Sequence, residues 1–187
     1  MKHLFTKLPA MVCALLAGAA MTSCDSSDND GMQTSFERME INYVYAVSSD
    51  LLEIADISIT YTDPADGSTK TVELTERSLS LKFQVKSFPA SFTVSAAAAL
   101  KPDANLDRSS YELSSEISTE FLEYRSDGKV YWFYGPDVTR TASIVEIEQG
   151  NPGAVPEGIN DFIGSLAKSH TYTIVQRGDG TYTVQSV

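Results

Sequence analysis

Cysteine, histidine and positive charge are the scarce commodities of this 187-residue chain, and each scarcity removes a class of function. The only cysteines are Cys13 and Cys24, and the only histidines are His3 and His170. A four-ligand zinc site built from His and Cys would need all four of them. A Ser-His-Asp triad would have to use His170, and no G-x-S-x-G elbow occurs to present the nucleophile. His170 precedes an alternating Tyr/Ile/Val run, which predicts a solvent-exposed histidine at the start of a strand. Fourteen basic residues face 25 acidic ones, a net charge of −11, and such a surface repels phosphate backbones. Nucleic-acid binding is therefore excluded. No internal repeat is present, and no low-complexity segment lies beyond residue 37.

What is present at the N-terminus is an address. Lys2 and Lys7 precede an apolar run from Leu8 to Ala20, which ends in Met21-Thr22-Ser23-Cys24. The run is too short to span a bilayer, and its basic start and small-residue end mark a secretory signal. Met21-Thr22-Ser23-Cys24 resembles the lipobox of bacterial lipoproteins, with Met21 standing where Leu is usual. The acidic, Ser-rich stretch Asp25 to Asp30 resembles the tethers of small outer-membrane or surface lipoproteins of Bacteroides-type bacteria.

The resemblance implies that residues 1–23 are a signal peptide and that Cys24 carries the lipid. Residues 24–37 would then be a flexible tether, and the protein would sit at the outer membrane, on the cell surface. Two or three acyl chains, at about 0.8 kcal/mol per buried methylene, would anchor it stably. Cys13 and His3 would leave with the signal and Cys24 would be taken up by lipid, so the mature chain would hold neither a disulfide nor a thiol nucleophile. The His/Cys zinc site would then be out of reach. Removing Lys2 and Lys7 leaves 12 basic residues against 25 acidic ones, a net charge of about −13.

Beyond the tether, residues 38–187 predict one domain, with 126–187 as a candidate subdomain. Ile41, Tyr43, Tyr45 and Val47 alternate with polar or small residues. Ile57, Ile59 and Tyr61 do the same, as do Leu79, Leu81, Phe83 and Val85, and then Phe92, Val94 and Ala96. Period-two patterning means one face buried and one wet, the signature of antiparallel sheets. Asp63-Pro64-Ala65-Asp66-Gly67, Phe88-Pro89, Lys101-Pro102-Asp103 and Asp127-Gly128 supply the turns. About seven strands between Ile41 and Arg125, at roughly ten-residue spacing, predict an all-β fold. That fold is an antiparallel β-sandwich, immunoglobulin- or fibronectin-like in part. One amphipathic helix is expected after Gly150-Asn151-Pro152-Gly153, where Ile159, Phe162, Ile163 and Leu166 recur at helical spacing. A hairpin around Gly178-Asp179-Gly180 closes the chain.

The candidate site is the hairpin at Asp127-Gly128. Read as a two-residue type I′ loop, it pairs Arg125 with Val130, Tyr124 with Tyr131, Glu123 with Trp132, Leu122 with Phe133, and Phe121 with Tyr134. One face, Leu122, Tyr124, Tyr131 and Phe133, then reads as core. The other carries Phe121, Glu123, Arg125, Trp132 and Tyr134, a mixture of flat rings and charge that suits a sugar's C–H face and hydroxyls. Two smaller motifs accompany it. Arg177-Gly178-Asp179 spells an adhesive tripeptide at a hairpin tip, and Ser26 to Glu37 approximates a calcium-binding loop without its first acid.

No catalytic, metal or cofactor residues stand out. The expected function is a non-enzymatic binding or assembly module, meeting a glycan through the aromatic face or another envelope protein. A packing subunit of a larger lipoprotein complex is the alternative, and a carboxylate-dependent hydrolase ranks behind both.

Overall fold

Among the described residues, alternation over β-branched and aromatic residues builds nine strands, and two short helices join them. The computed structural model describes residues 34–147 and 156–187. The expected signal, Cys24, the first part of the expected tether, the loop Gly150–Gly153 and the side chain of Trp132 lie outside the described residues, as does most of Ser26–Glu37.

The order is β1 (Phe36–Val47), α1 (Ser49–Ile54), β2 (Ala55–Thr62), β3 (Thr69–Glu73), β4 (Ser78–Val85) and β5 (Ala90–Leu100). It continues with β6 (Ser110–Arg125), β7 (Val130–Glu146), α2 (Glu157–Ser165), β8 (Ser169–Gln176) and β9 (Tyr182–Ser186). One sheet runs β4-β1-β6-β7 and the other β3-β2-β5-β8-β9. Every pairing is antiparallel. The expected β-sandwich is the observed fold, with six strands rather than seven completed by Arg125. β1 and β2 lie in different sheets, unlike the first two strands of an immunoglobulin constant domain. Residues after 126 divide between the layers: β7 joins the first sheet, β8 and β9 the second.

The alternating residues meet between the sheets. Met39, Ile41, Tyr43 and Tyr45 of β1 are buried, and so are Ile57 and Ile59 of β2, Phe92 and Val94 of β5, and Tyr172 and Ile174 of β8. Phe92 bridges the two layers, with its ring 5.1 Å from Phe83 and 6.0 Å from Tyr43. Aromatic pairs at such separations add to the free energy of burial itself.

The helices manage the places where strands stop. α1, which the alternation did not predict, carries the chain from β1 to β2. Ser48 caps it, its Oγ accepting from Leu51 N at 3.3 Å and from Ser114 N at 3.1 Å. Lys101 Nζ donates to the carbonyls of Leu52 and Glu53 near its C-terminus, at 2.7 and 3.1 Å. Such groups are otherwise orphaned at a helix end. α2 forms where the helical spacing placed it, with Ile159, Phe162, Ile163 and Leu166 all buried. It packs on β5 and β7, one strand from each sheet. β8 pairs with β5 only from Ala90 to Ser95, and the helix also packs on β5. Gly158 permits the close approach: a Cβ there would sit 3.3 Å from Val145 Cγ1. Among the described residues, no helix is long and apolar enough to cross a membrane.

Candidate functional site

The β6–β7 hairpin turns through three residues, not two. Gly128 N donates to Arg125 O at 2.9 Å, and Arg125 N donates to Lys129 O at 3.1 Å. Gly128 takes φ +76°, and Asp127 Oδ1 accepts from Lys129 N at 2.9 Å. This is a type I turn followed by a left-handed residue, the usual three-residue hairpin. Adding Ser126 to the loop slips the register by one. Tyr124 faces Val130, Glu123 faces Tyr131, and Leu122 faces Trp132. An irregularity then restores Phe121 opposite Tyr134.

The slip, with the parity of β6, corrects the expected ligand face. Tyr111, Leu113, Ile117 and Phe121 all point inward, so the odd positions of β6 belong to the core. Phe121 is 0 % exposed, with its ring 5.7 Å from Tyr134 and 5.3 Å from Tyr172. Glu123 is 6 % exposed and accepts from Arg125 Nε at 2.6 Å. Arg125 lies over the Tyr131 ring at 4.6 Å, and its Nη1 reaches Thr34 Oγ1 at 3.4 Å. Phe121 and Tyr134 are thus a packing pair and Glu123 and Arg125 an ion pair. They do not form one open platform. The expected core residues Leu122 and Tyr124 are half-buried on the outer face. There Arg38 lies 3.8 Å over the Tyr124 ring and Tyr124 Oη donates to Glu40 at 3.1 Å. Upstream parity carried the signal, because Glu112, Glu116 and Glu120 on the even positions could only face water.

His170 departs from its expected exposure. It sits opposite Val94, shares the parity of Tyr172 and Ile174, and buries Nε2 without a hydrogen-bond partner. Nearby polar groups form a seam between the sheets. Tyr172 Oη lies 3.2 Å from both Thr119 Oγ1 and Asp137 Oδ2, and burial pushes its phenol up to about 12. Burial also raises the Tyr45 phenol to about 12, and its hydroxyl has no partner of good geometry. Tyr45, Ser115, Thr139, Thr141, Ser165 and Lys168 line a cavity of about 10 Å³. That is close to the minimum for one water. Among the described residues no cluster of His, Cys, Asp and Glu could hold a metal ion.

The Arg177-Gly178-Asp179 tip repeats the three-residue turn. Gly180 takes φ +82°, and Arg177 N donates to Thr181 O at 2.7 Å. Asp179 Oδ1 accepts from Thr181 N at 2.9 Å and from Thr181 Oγ1 at 2.6 Å, which hold the carboxyl below its ordinary range. The aspartate is occupied in shaping its own turn.

The feature the sequence reading missed is the extension of β7 beyond the hairpin arm that ends at Tyr134, and its place at the sheet edge. At 17 residues β7 is the longest strand, and it forms an edge of its sheet. Val130, Val138 and Ile144 are 47, 40 and 69 % exposed. They pair with Tyr124, Ser118 and Glu112, even positions of β6, and so share the outer face. Between them Arg140 Nε meets Glu116 Oε2 at 2.8 Å. Comparisons with protein families, curated proteins and solved structures each return no match.

Proposed function

We propose that this protein is a lipid-anchored envelope module, held through Cys24 at the outer membrane and cell surface, and that it acts by protein–protein assembly rather than catalysis. The anchor reading rests on Met21-Thr22-Ser23-Cys24 and the acidic tether. The assembly reading rests on one observation: the long β7 edge displays Val130, Val138 and Ile144 to solvent. An edge strand presents main-chain donors and acceptors ready to pair, and exposed aliphatic residues add apolar area to that contact. A glycan role has less support, because Phe121 and Glu123 are buried.

Two experiments test this. Cys24→Ala should release the protein from membranes, and unchanged retention would refute the anchor. A photo-crosslinking residue at position 144, read in intact cells, should yield a protein adduct. The same probe at Ser80 on the opposite edge should yield none. Equal labelling at both positions would refute assembly through β7.

A further inference from the structure

We infer that the occupant of the β7 edge is a second copy of this chain. The two copies would pair antiparallel about a twofold axis at Thr141, and the inference rests on the assembly reading above. Two four-stranded sheets would then become one continuous sheet.

The stretch from Asp137 to Glu146 can support such pairing because its register with β6 is unbroken, from Thr119↔Asp137 to Ser110↔Glu146. Its side chains are also nearly palindromic about Thr141. Antiparallel pairing there sets Val138 against the partner's Ile144, Thr139 against Ser143, Arg140 against Ala142, and Thr141 against itself. Both strongly exposed aliphatics find an apolar neighbour, twice over by symmetry. Directly opposed residues of this kind are the unit of sheet stabilisation. A twofold contact closes on itself and needs only one self-complementary patch.

Competing registers are worse. Centring on Arg140 would oppose two guanidinium groups. Centring on Ala142 would set Val138 against Glu146 and Arg140 against Ile144. A one-residue slip would set Val138 against Ser143 and Ile144 against Asp137, or Val138 against Val145 and Ile144 against Thr139, opposing outward-facing residues to inward-facing ones in either case.

Charge fits the same register. Ala142 pairs with Ser114 on β6, flanked on that face by Glu112 and Glu116. Arg140 of the second copy would cross the small Ala142 and arrive between those carboxylates. The chain's net charge of −11 opposes self-association in general. This stretch carries only Asp137, Arg140 and Glu146, so the opposition is weak where the strands meet.

The test uses the full chain, solubilised from membranes in mild detergent. Light scattering should give twice the protein mass of the processed chain, and Ile144→Lys should shift it to monomer. Thr141→Cys should form a disulfide dimer on mild oxidation, above the background set by the unsubstituted chain. Directly opposed Cα atoms, about 4.5–5.5 Å apart, lie within disulfide reach. Val138→Cys and Ile144→Cys should each fail alone and cross-link when co-expressed. A monomer at every concentration, while position 144 still labels another protein in cells, would overturn the second copy and leave edge assembly standing. No labelling at position 144 would overturn both. A dimer that survives Ile144→Lys and does not cross-link through Thr141→Cys would overturn the β7 pairing.

Discussion

The two edges of the first sheet are built on opposite principles. β4 presents Ser78, Ser80, Lys82 and Gln84 to solvent along its eight residues. β7 is twice as long and presents Val130, Val138 and Ile144. A lysine in the middle of an edge strand is a common guard, since a second strand would have to accommodate its charge. On β7 the one basic residue after the bulge, Arg140, is already matched by Glu116. One edge is defended and the other is displayed, although both flank the same β1–β6 centre.

Breaking β7 itself should have the largest effect. Gly135 takes φ +94°, and a Cβ there would lie 2.6 Å from Thr119 O and 2.9 Å from Asp137 N. Gly135→Ala should cost about 3 kcal/mol or more, as backbone strain and overpacking combine. Urea denaturation would measure it. No comparable glycine occurs on β4.

Exchanging the edges' characters comes next. Ile144→Lys should weaken self-association by about tenfold or more, equivalent to about 1.4 kcal/mol. Lys82→Ile should make β4 adhesive, raising the apparent mass at high concentration. Sedimentation would read both variants.

Alkaline pH should separate edge pairing from the core beneath it. Burial raises the folded-state pKa of Tyr45 and Tyr172 to about 12, and that of Tyr43 further still. An unfolded tyrosine titrates near about 10. The folded state therefore keeps its protons more tightly than the unfolded state. Its stability is fully present below about pH 10 and falls as pH rises toward 12. Phenolate absorbance near 295 nm should rise together with loss of β-sheet circular dichroism. Edge association should persist until that transition.

The smallest effect compares the two tips that share a turn. Asp127→Ala and Asp179→Ala should each lower the urea midpoint only slightly, as an exposed turn-shaping hydrogen bond is lost. Removing Asp127 should also loosen the register of β6 with β7.

The sandwich was legible because β1, β2, β4 and β5 alternate cleanly, and α2 because its four apolar residues keep helical spacing. α1 was not: six residues hold too few turns for periodicity to register, and only Ser48 followed by Asp50 and Leu51 marks it. The candidate face failed on two points: β6 parity buries Phe121 and Glu123, and a single loop residue sets Trp132 opposite Leu122. Whether Ser126 belongs to the loop decides which side chains share a face, and Asp-Gly alone does not settle it. β7 was hidden for another reason. Beyond the hairpin arm its inward positions include Thr139 and Thr141, which line the small polar cavity, and the exposed Ser143, so no apolar alternation announces it. That it is an edge is a property of the whole topology and of no local motif.

The position of β1 also has a mechanical meaning. Whatever precedes residue 34 joins the domain at this strand, which pairs with β4 from Met39 to Ala46 and with β6 from Phe36 to Val47. Tension applied from that side pulls along β1 and loads both ladders in shear, so many hydrogen bonds must yield together. A pull from the N-terminal side thus meets the fold at a strand braced on both sides, and a force that could peel an edge strand away one bond at a time would leave β1 in place.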